Sequence, residues 1–231
     1  MTKPSIAGNA WSLFLGIALL QAGVGLQRPL LGLRAQEAGF STLSAALVMT
    51  LYYAGFIVGT RVVGHVLATV GHIRTFAGLA STASCVVLVQ GFWINPISWG
   101  LCRVVFGICC AALYVIGESW LNDLATNENR GRLLSVYMVV AIAATLGGQY
   151  SVGLASTGGF TLFALASIMV SIALVPIALS SRTTPPAVVP EPLSFRALYS
   201  IVPTGLVICL FSGMTLGIIV GLGPIYGAAK G

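Results

Sequence analysis

Uninterrupted apolar runs of about twenty residues recur along this chain, and they constrain its fold more than any other feature. They lie at Trp11 to Leu33, Leu43 to Val63, Thr75 to Ile94, Ile97 to Leu121, Leu133 to Ala155, Phe160 to Leu179 and Ile201 to Tyr226. At 1.5 Å per residue, about 20 helical residues cross a hydrocarbon core about 30 Å thick. Inside lipid every backbone polar group needs a partner within the protein, which leaves helices or closed barrels. Barrel strands alternate apolar and polar positions over about ten residues, whereas these runs are continuous and twice as long, so helices are expected. Only 7% of the residues are charged and 57% are hydrophobic, against about 25% charged in soluble domains. The sequence therefore predicts an all-α membrane protein of seven spanning helices.

The formal charge of +6 raises the possibility of an anionic macromolecular partner, but the basic residues are scattered over loops and helix ends, so no nucleic acid is expected. The partner is the lipid bilayer. With a cytoplasmic N-terminus, Lys3, Arg61, Arg74, Arg130, Arg132, Arg182 and Arg196 fall inside, and Arg28, Arg34 and Lys230 outside. Short cytoplasmic loops hold the Lys/Arg excess, which favours this orientation in a bacterial plasma (inner) membrane. Arg28 and Arg34 are expected to snorkel to the outer interface. His65 and His72 are expected near the cytoplasmic surface. The run after Lys3 is too long for the 7 to 15 residues of a signal-peptide core and is read as an uncleaved first helix.

Chemistry-bearing clusters are scarce. Cys85, Cys102, Cys109, Cys110 and Cys209 all lie in apolar runs, with neither CxxC spacing nor a nearby His, so they read as small packing residues and no metal or cofactor is expected. HExxH, GxSxG and paired intramembrane carboxylates are lacking, which argues against an enzyme.

Arg103 is the exception. It lies inside the fourth run, and Glu118, fifteen positions on, is about 22 Å away along the helix and cannot pair with it. A guanidinium in a bilayer costs about 2.5 to 3.5 kcal/mol on insertion scales, so it is kept where it has a partner or a wet cavity. It could meet an anionic solute, control a proton by pairing with a carboxylate, or be satisfied by helix carbonyls in a purely structural role. Gln21, Gln27, Tyr52 and Gln149 are the other polar groups placed to face a cavity. The amides could equally bond a neighbouring helix for about 0.6 kcal/mol each.

Small residues mark close helix approach: Gly55-x3-Gly59 in the second run, Gly147-Gly148 in the fifth, and Gly213, Gly217 and Gly221 in the seventh. The segment Gly64 to Arg74 reads as a short turn forcing helices two and three into an antiparallel pair. Pro185, Pro186, Pro190 and Pro192 mark a semi-rigid linker. The domains are thus expected to be a six-helix bundle over 1–180, a cytoplasmic Pro-rich linker over 181–200, and a seventh helix over 201–231 opening an incomplete second bundle.

Three stretches resemble the major facilitator superfamily and, within it, the YcaD-like group of bacterial inner-membrane transporters. They are Arg103-x3-Gly107-x3-Ala111 on the fourth helix, Arg130-Gly131-Arg132 leading into the fifth, and Gly71-His72-Ile73-Arg74 together with Gly117-Glu118-Ser119-Trp120-Leu121-Asn122. The resemblance covers nearly the whole chain. It implies a six-helix bundle of 3+3 inverted repeats, although no residue-level repeat is visible. It also implies alternating access to a small-molecule solute, with or without a coupled proton. A cytoplasmic gate would comprise Gly64, Gly71, Arg74, Glu118, Asp123, Arg130 and Arg132. The superfamily's loop between helices two and three carries an acid and a base where this chain has Ala68 and Thr69, which puts the usual charge lock in doubt. Its usual twelve helices also imply that a seven-helix chain is truncated and needs a missing C-terminal half, or a second copy, to transport. The competing reading is a non-transporting membrane scaffold or accessory subunit.

Overall fold

A computed structural model describes residues 6–179 and 195–215. In the first of two units, six long segments are helical: α1 (Ile6–Glu37), α2 (Thr42–Val70), α3 (His72–Phe92), α4 (Pro96–Leu124), α5 (Arg130–Tyr150) and α6 (Thr161–Ile172) with its short continuation α7 (Leu174–Ala178). A 3-10 turn, Ser151–Leu154, follows α5. Six spans, Trp11–Glu37, Thr42–Val70, His72–Phe92, Pro96–Leu124, Arg130–Leu154 and Thr161–Ala178, are long and apolar enough to cross a membrane. The expected all-α membrane architecture is what is found.

Local chemistry sets the boundaries. Asn95 caps α4, its side-chain oxygen accepting from the amides of Ile97 and Ser98 at 2.9 and 3.4 Å. Pro96 takes the first helical position, where no donor is needed. The α6/α7 interruption at Ala173 comes four residues or fewer before Pro176, which cannot donate to the carbonyl of Ile172. The expected turn over Gly64 to Arg74 is much shorter than the sequence suggested. α2 stays helical through Val70 and Gly71 alone joins it to α3, at φ 84° and ψ 165°, a region only glycine occupies without strain.

Most of the packing joins helices that are not neighbours in sequence, α3 and α4 excepted. α2 lies along α4, α1 along α5, and α3 bridges α4 and α6, while α2 and α3 touch little. The expected α2/α3 pair is antiparallel in direction only, because a one-residue joint fixes where the helix ends meet and leaves the packing of their faces to the small residues.

Those small residues reveal a symmetry invisible in the sequence. A Cβ on Gly55 would strike the carbonyl of Val104, and one on Gly107 the carbonyl of Tyr52. A Cβ on Gly148 would strike the carbonyl of Ala22, and one on Gly25 the carbonyl of Thr145. Each glycine of a reciprocal pair thus sits against the residue three before its counterpart. Exchanging α1 with α4 and α2 with α5 maps one seam onto the other. The same exchange maps the α3/α4 packing onto α6/α1 and leaves α3/α6 in place. With three helices per repeat the second copy is necessarily inverted, which is the 3+3 arrangement.

The core is a continuous apolar cluster that includes Leu26, Leu30, Phe106, Leu113, Ile116 and Phe163, all essentially inaccessible. Leu43, Leu47, Ile57, Met138, Val139 and Ile142 are exposed on the outside, the inverse of a soluble bundle and the pattern expected against lipid. The second unit comprises Phe195–Ile201, here α8, and Pro203–Thr215, here α9. Residues 195–200, expected to be linker, are helical because the prolines end at Pro192 and the helix-compatible Phe-Arg-Ala-Leu-Tyr follows. Val202, just before Pro203, separates the two segments. The rest of the linker and of the seventh run lies outside the described residues.

Candidate functional site

The polar residues of α1, α3 and α4 converge. Gln27 is fully buried and donates from Nε2 to Oε1 of Gln90 on α3 at 2.8 Å. Its own Oε1 accepts from Nη1 of Arg103 at 3.2 Å. Gln90 is fixed in turn, because its backbone carbonyl accepts the indole N–H of Trp99 at 2.9 Å. The α2 residue Tyr52 lays its ring over the guanidinium, 4.5 Å from the Arg103 Cζ. This cation–π contact is worth about 2 kcal/mol when desolvated. About three turns further along α4, Tyr114 donates its hydroxyl to Oε1 of Gln21 on α1 at 2.8 Å.

The close seams are what bring these groups together. Gly55 and Gly107 let α2 and α4 touch backbone to backbone, so the aromatic side chain of Tyr52 can reach Arg103 from the neighbouring helix. Gly25 and Gly148 do the same for α1 and α5.

Arg103 is 4% exposed and under-used. A guanidinium has five N–H donors in a planar fork. Among the described residues only the bond to Gln27 engages it, and Nε is buried without a partner. No helix carbonyl accepts from it. Gln90 Nε2 is likewise buried and unpartnered. The acids lie elsewhere: Glu37 ends α1, Glu118 and Asp123 lie in the last turns of α4, and Glu128 in the following loop. The one ion pair among the described residues is Arg34 with Glu37 at 3.3 Å. Glu37 also accepts from the Thr157 hydroxyl, tying the end of α1 to the loop before α6.

Arg28 corrects an expectation. It does not snorkel outward; it is half-buried, facing Tyr52, Tyr53 and Tyr114 and within electrostatic reach of Arg103. Its position next to Gln27 turns it into the groove between α1, α2 and α4, where its long stem reaches the tyrosines. His72, at the start of α3, is 2% exposed and its ring lies 6.1 Å from that of Trp120.

Of the residues singled out in the sequence, Arg103 meets Gln27 and Tyr52 directly, while Gln21 bonds Tyr114, whose ring packs on Phe56. Gln149 is half-buried on α5 and makes no hydrogen bond of this network. At the Gly71 end, Glu118 Oε1 accepts from Tyr137 at 3.1 Å. Gly64 lies within α2, Arg74 is exposed at the start of α3, and Asp123, Arg130 and Arg132 are exposed around the α4/α5 loop. These charges form no ion pair with one another. Arg28, Gln90, Tyr114 and Trp99 are the cluster members that sequence reading did not select. An amide in an otherwise apolar third helix was the available signal for Gln90.

A bundle of two inverted three-helix repeats with polar side chains gathered where the repeats meet is the architecture of one half of a secondary transporter. Residues 13–231 match the Major Facilitator Superfamily, and the chain belongs to that family. It is 30% identical over 225 residues to the uncharacterized MFS-type transporter YcaD of Escherichia coli O139:H28, and equally so to YcaD of E. coli strain SE11 and of Shigella sonnei. Each alignment covers 95% of this chain and 58% of the relative, so the chain spans less than two thirds of the length of the relatives it matches. Together with the six spans, the family marks this as a multi-pass membrane protein.

Proposed function

We propose that this chain forms the N-terminal half of a secondary transporter that moves a small solute by alternating access. Residues 1–180 make up the rocking six-helix bundle, 181–200 the cytoplasmic connection, and 201–231 the start of a second bundle supplied by further chain or another copy. The observation that carries this reading is Arg103: a buried guanidinium with one protein hydrogen bond has capacity for a ligand. In this reading Gln21, Gln27, Tyr52 and Gln149 face the same cavity as Arg103. Gly64, Gly71, Arg74, Glu118, Asp123, Arg130 and Arg132 form the cytoplasmic gate, with the N-terminus inside a bacterial inner membrane, in keeping with the Lys/Arg distribution.

The test is uptake by a full-length relative in which the equivalent arginine is replaced by Ala. Transport should be abolished while membrane insertion is kept. Normal transport would remove this arginine from the mechanism. A chain that inserts yet shows no solute-dependent change in the alkylation rate of Cys102 would favour a scaffold instead.

A further inference from the structure

Resting on that transport reading, we propose that the solute is a small oxyanion, gripped by Arg103 and Arg28 beside the Tyr52 ring. Three features converge on this chemistry.

The first is charge. Arg103 and Arg28, on neighbouring helices, both face Tyr52, and neither forms an ion pair with a carboxylate among the described residues. Two cations sharing a desolvated groove repel, and an anion entering it relieves both at once.

The second is the direction of the free donors. Tyr52 covers one face of the Arg103 guanidinium, so its unengaged N–H groups point outward in the plane of the fork. That edge matches two coplanar oxygens, which is how arginine binds carboxylate or phosphate bidentately.

The third is rigidity. Gln27 is held by the buried Gln90 amide and Tyr52 stacks on the guanidinium, so the fork is aimed before any ligand arrives and little ordering cost remains at binding. The unpartnered Nε of Arg103 and Nε2 of Gln90 are the donors a ligand or its water shell would satisfy. The same geometry makes a neutral solute a poor match, because it would leave the buried Arg103 charge uncompensated.

The test uses the whole chain in nanodiscs of phosphatidylcholine, a lipid without net charge, at constant ionic strength. Sodium benzoate, inorganic phosphate and, as a neutral isostere, benzamide are titrated while the unfolding midpoint is read by tryptophan fluorescence. Benzoate or phosphate should raise the midpoint saturably and benzamide should not. Arg103→Gln should abolish the shift. Arg103→Lys, which keeps the charge and most of the stem but loses the fork, should weaken apparent affinity about tenfold, and Arg28→Gln should weaken it similarly. No anion-dependent shift in the wild-type chain, or an equal shift in Arg103→Gln, would overturn the anion site. Uptake of a neutral solute by full-length YcaD that neither benzoate nor phosphate inhibits would also overturn it and leave transport standing. Saturable, Arg103-dependent binding with no flux of any solute in that relative would instead overturn transport and keep the site.

Discussion

The Arg103 guanidinium hangs on Gln27 by a single 3.2 Å hydrogen bond, and Gln27 spends its other end on Gln90. The buried cation is therefore positioned by a neutral amide relay rather than by an acid, and its charge is left for something outside the network.

Gln27→Glu tests that arrangement directly. The new carboxylate would pair with Arg103, and Gln90, by turning its amide, could donate from the Nε2 that is now unpartnered. The unfolding midpoint should rise, by about 1 kcal/mol of stability, because an ion pair replaces a charge-to-amide hydrogen bond. Oxyanion binding should fall at the same time. Gln27→Leu should lower both, since it strands Gln90 and Arg103 together.

Neighbouring glycines on α5 should behave oppositely. Gly148→Ala drives a methyl group into the carbonyl of Ala22 and should cost about 1 to 3 kcal/mol. Gly147→Ala meets nothing within 4 Å and should be neutral or stabilise by up to about 1 kcal/mol through helix propensity. Paired thermal unfolding of the two variants in detergent checks this, and equal effects would count against the α1/α5 seam.

The joint between α2 and α3 depends on backbone freedom, not on space. No atom would meet a Cβ on Gly71, yet its φ of 84° with ψ of 165° excludes side chains. Gly71→Ala should cost about 1 to 3 kcal/mol, read as a lowered unfolding midpoint, while Gly131→Ala, also unobstructed and in a regular helix, should not.

At the same end, Tyr137→Phe removes the donor to Glu118. Glu118 is exposed, so the loss in folding stability should stay under about 1 kcal/mol. A fall in transport by the full-length relative much larger than that stability loss would mark this contact as part of the gate.

Sequence alone determined the solvent and the class of element. Twenty-residue apolar runs permit only helices in lipid, Asn95-Pro96 sets where α4 begins, and Arg103 announced itself because a charge in such a run is costly. Which helices touch was decided by tertiary structure. The repeat is written in reciprocal glycine-to-carbonyl contacts between Gly55 and Gly107 and between Gly25 and Gly148, and these are spatial coincidences of residues with no shared motif. Likewise Arg28 and Gln90 looked like an interfacial charge and a stray amide. Their place beside Arg103 depends on the rotation of α1 and α3 about their own axes, which long-range packing fixes and local sequence does not.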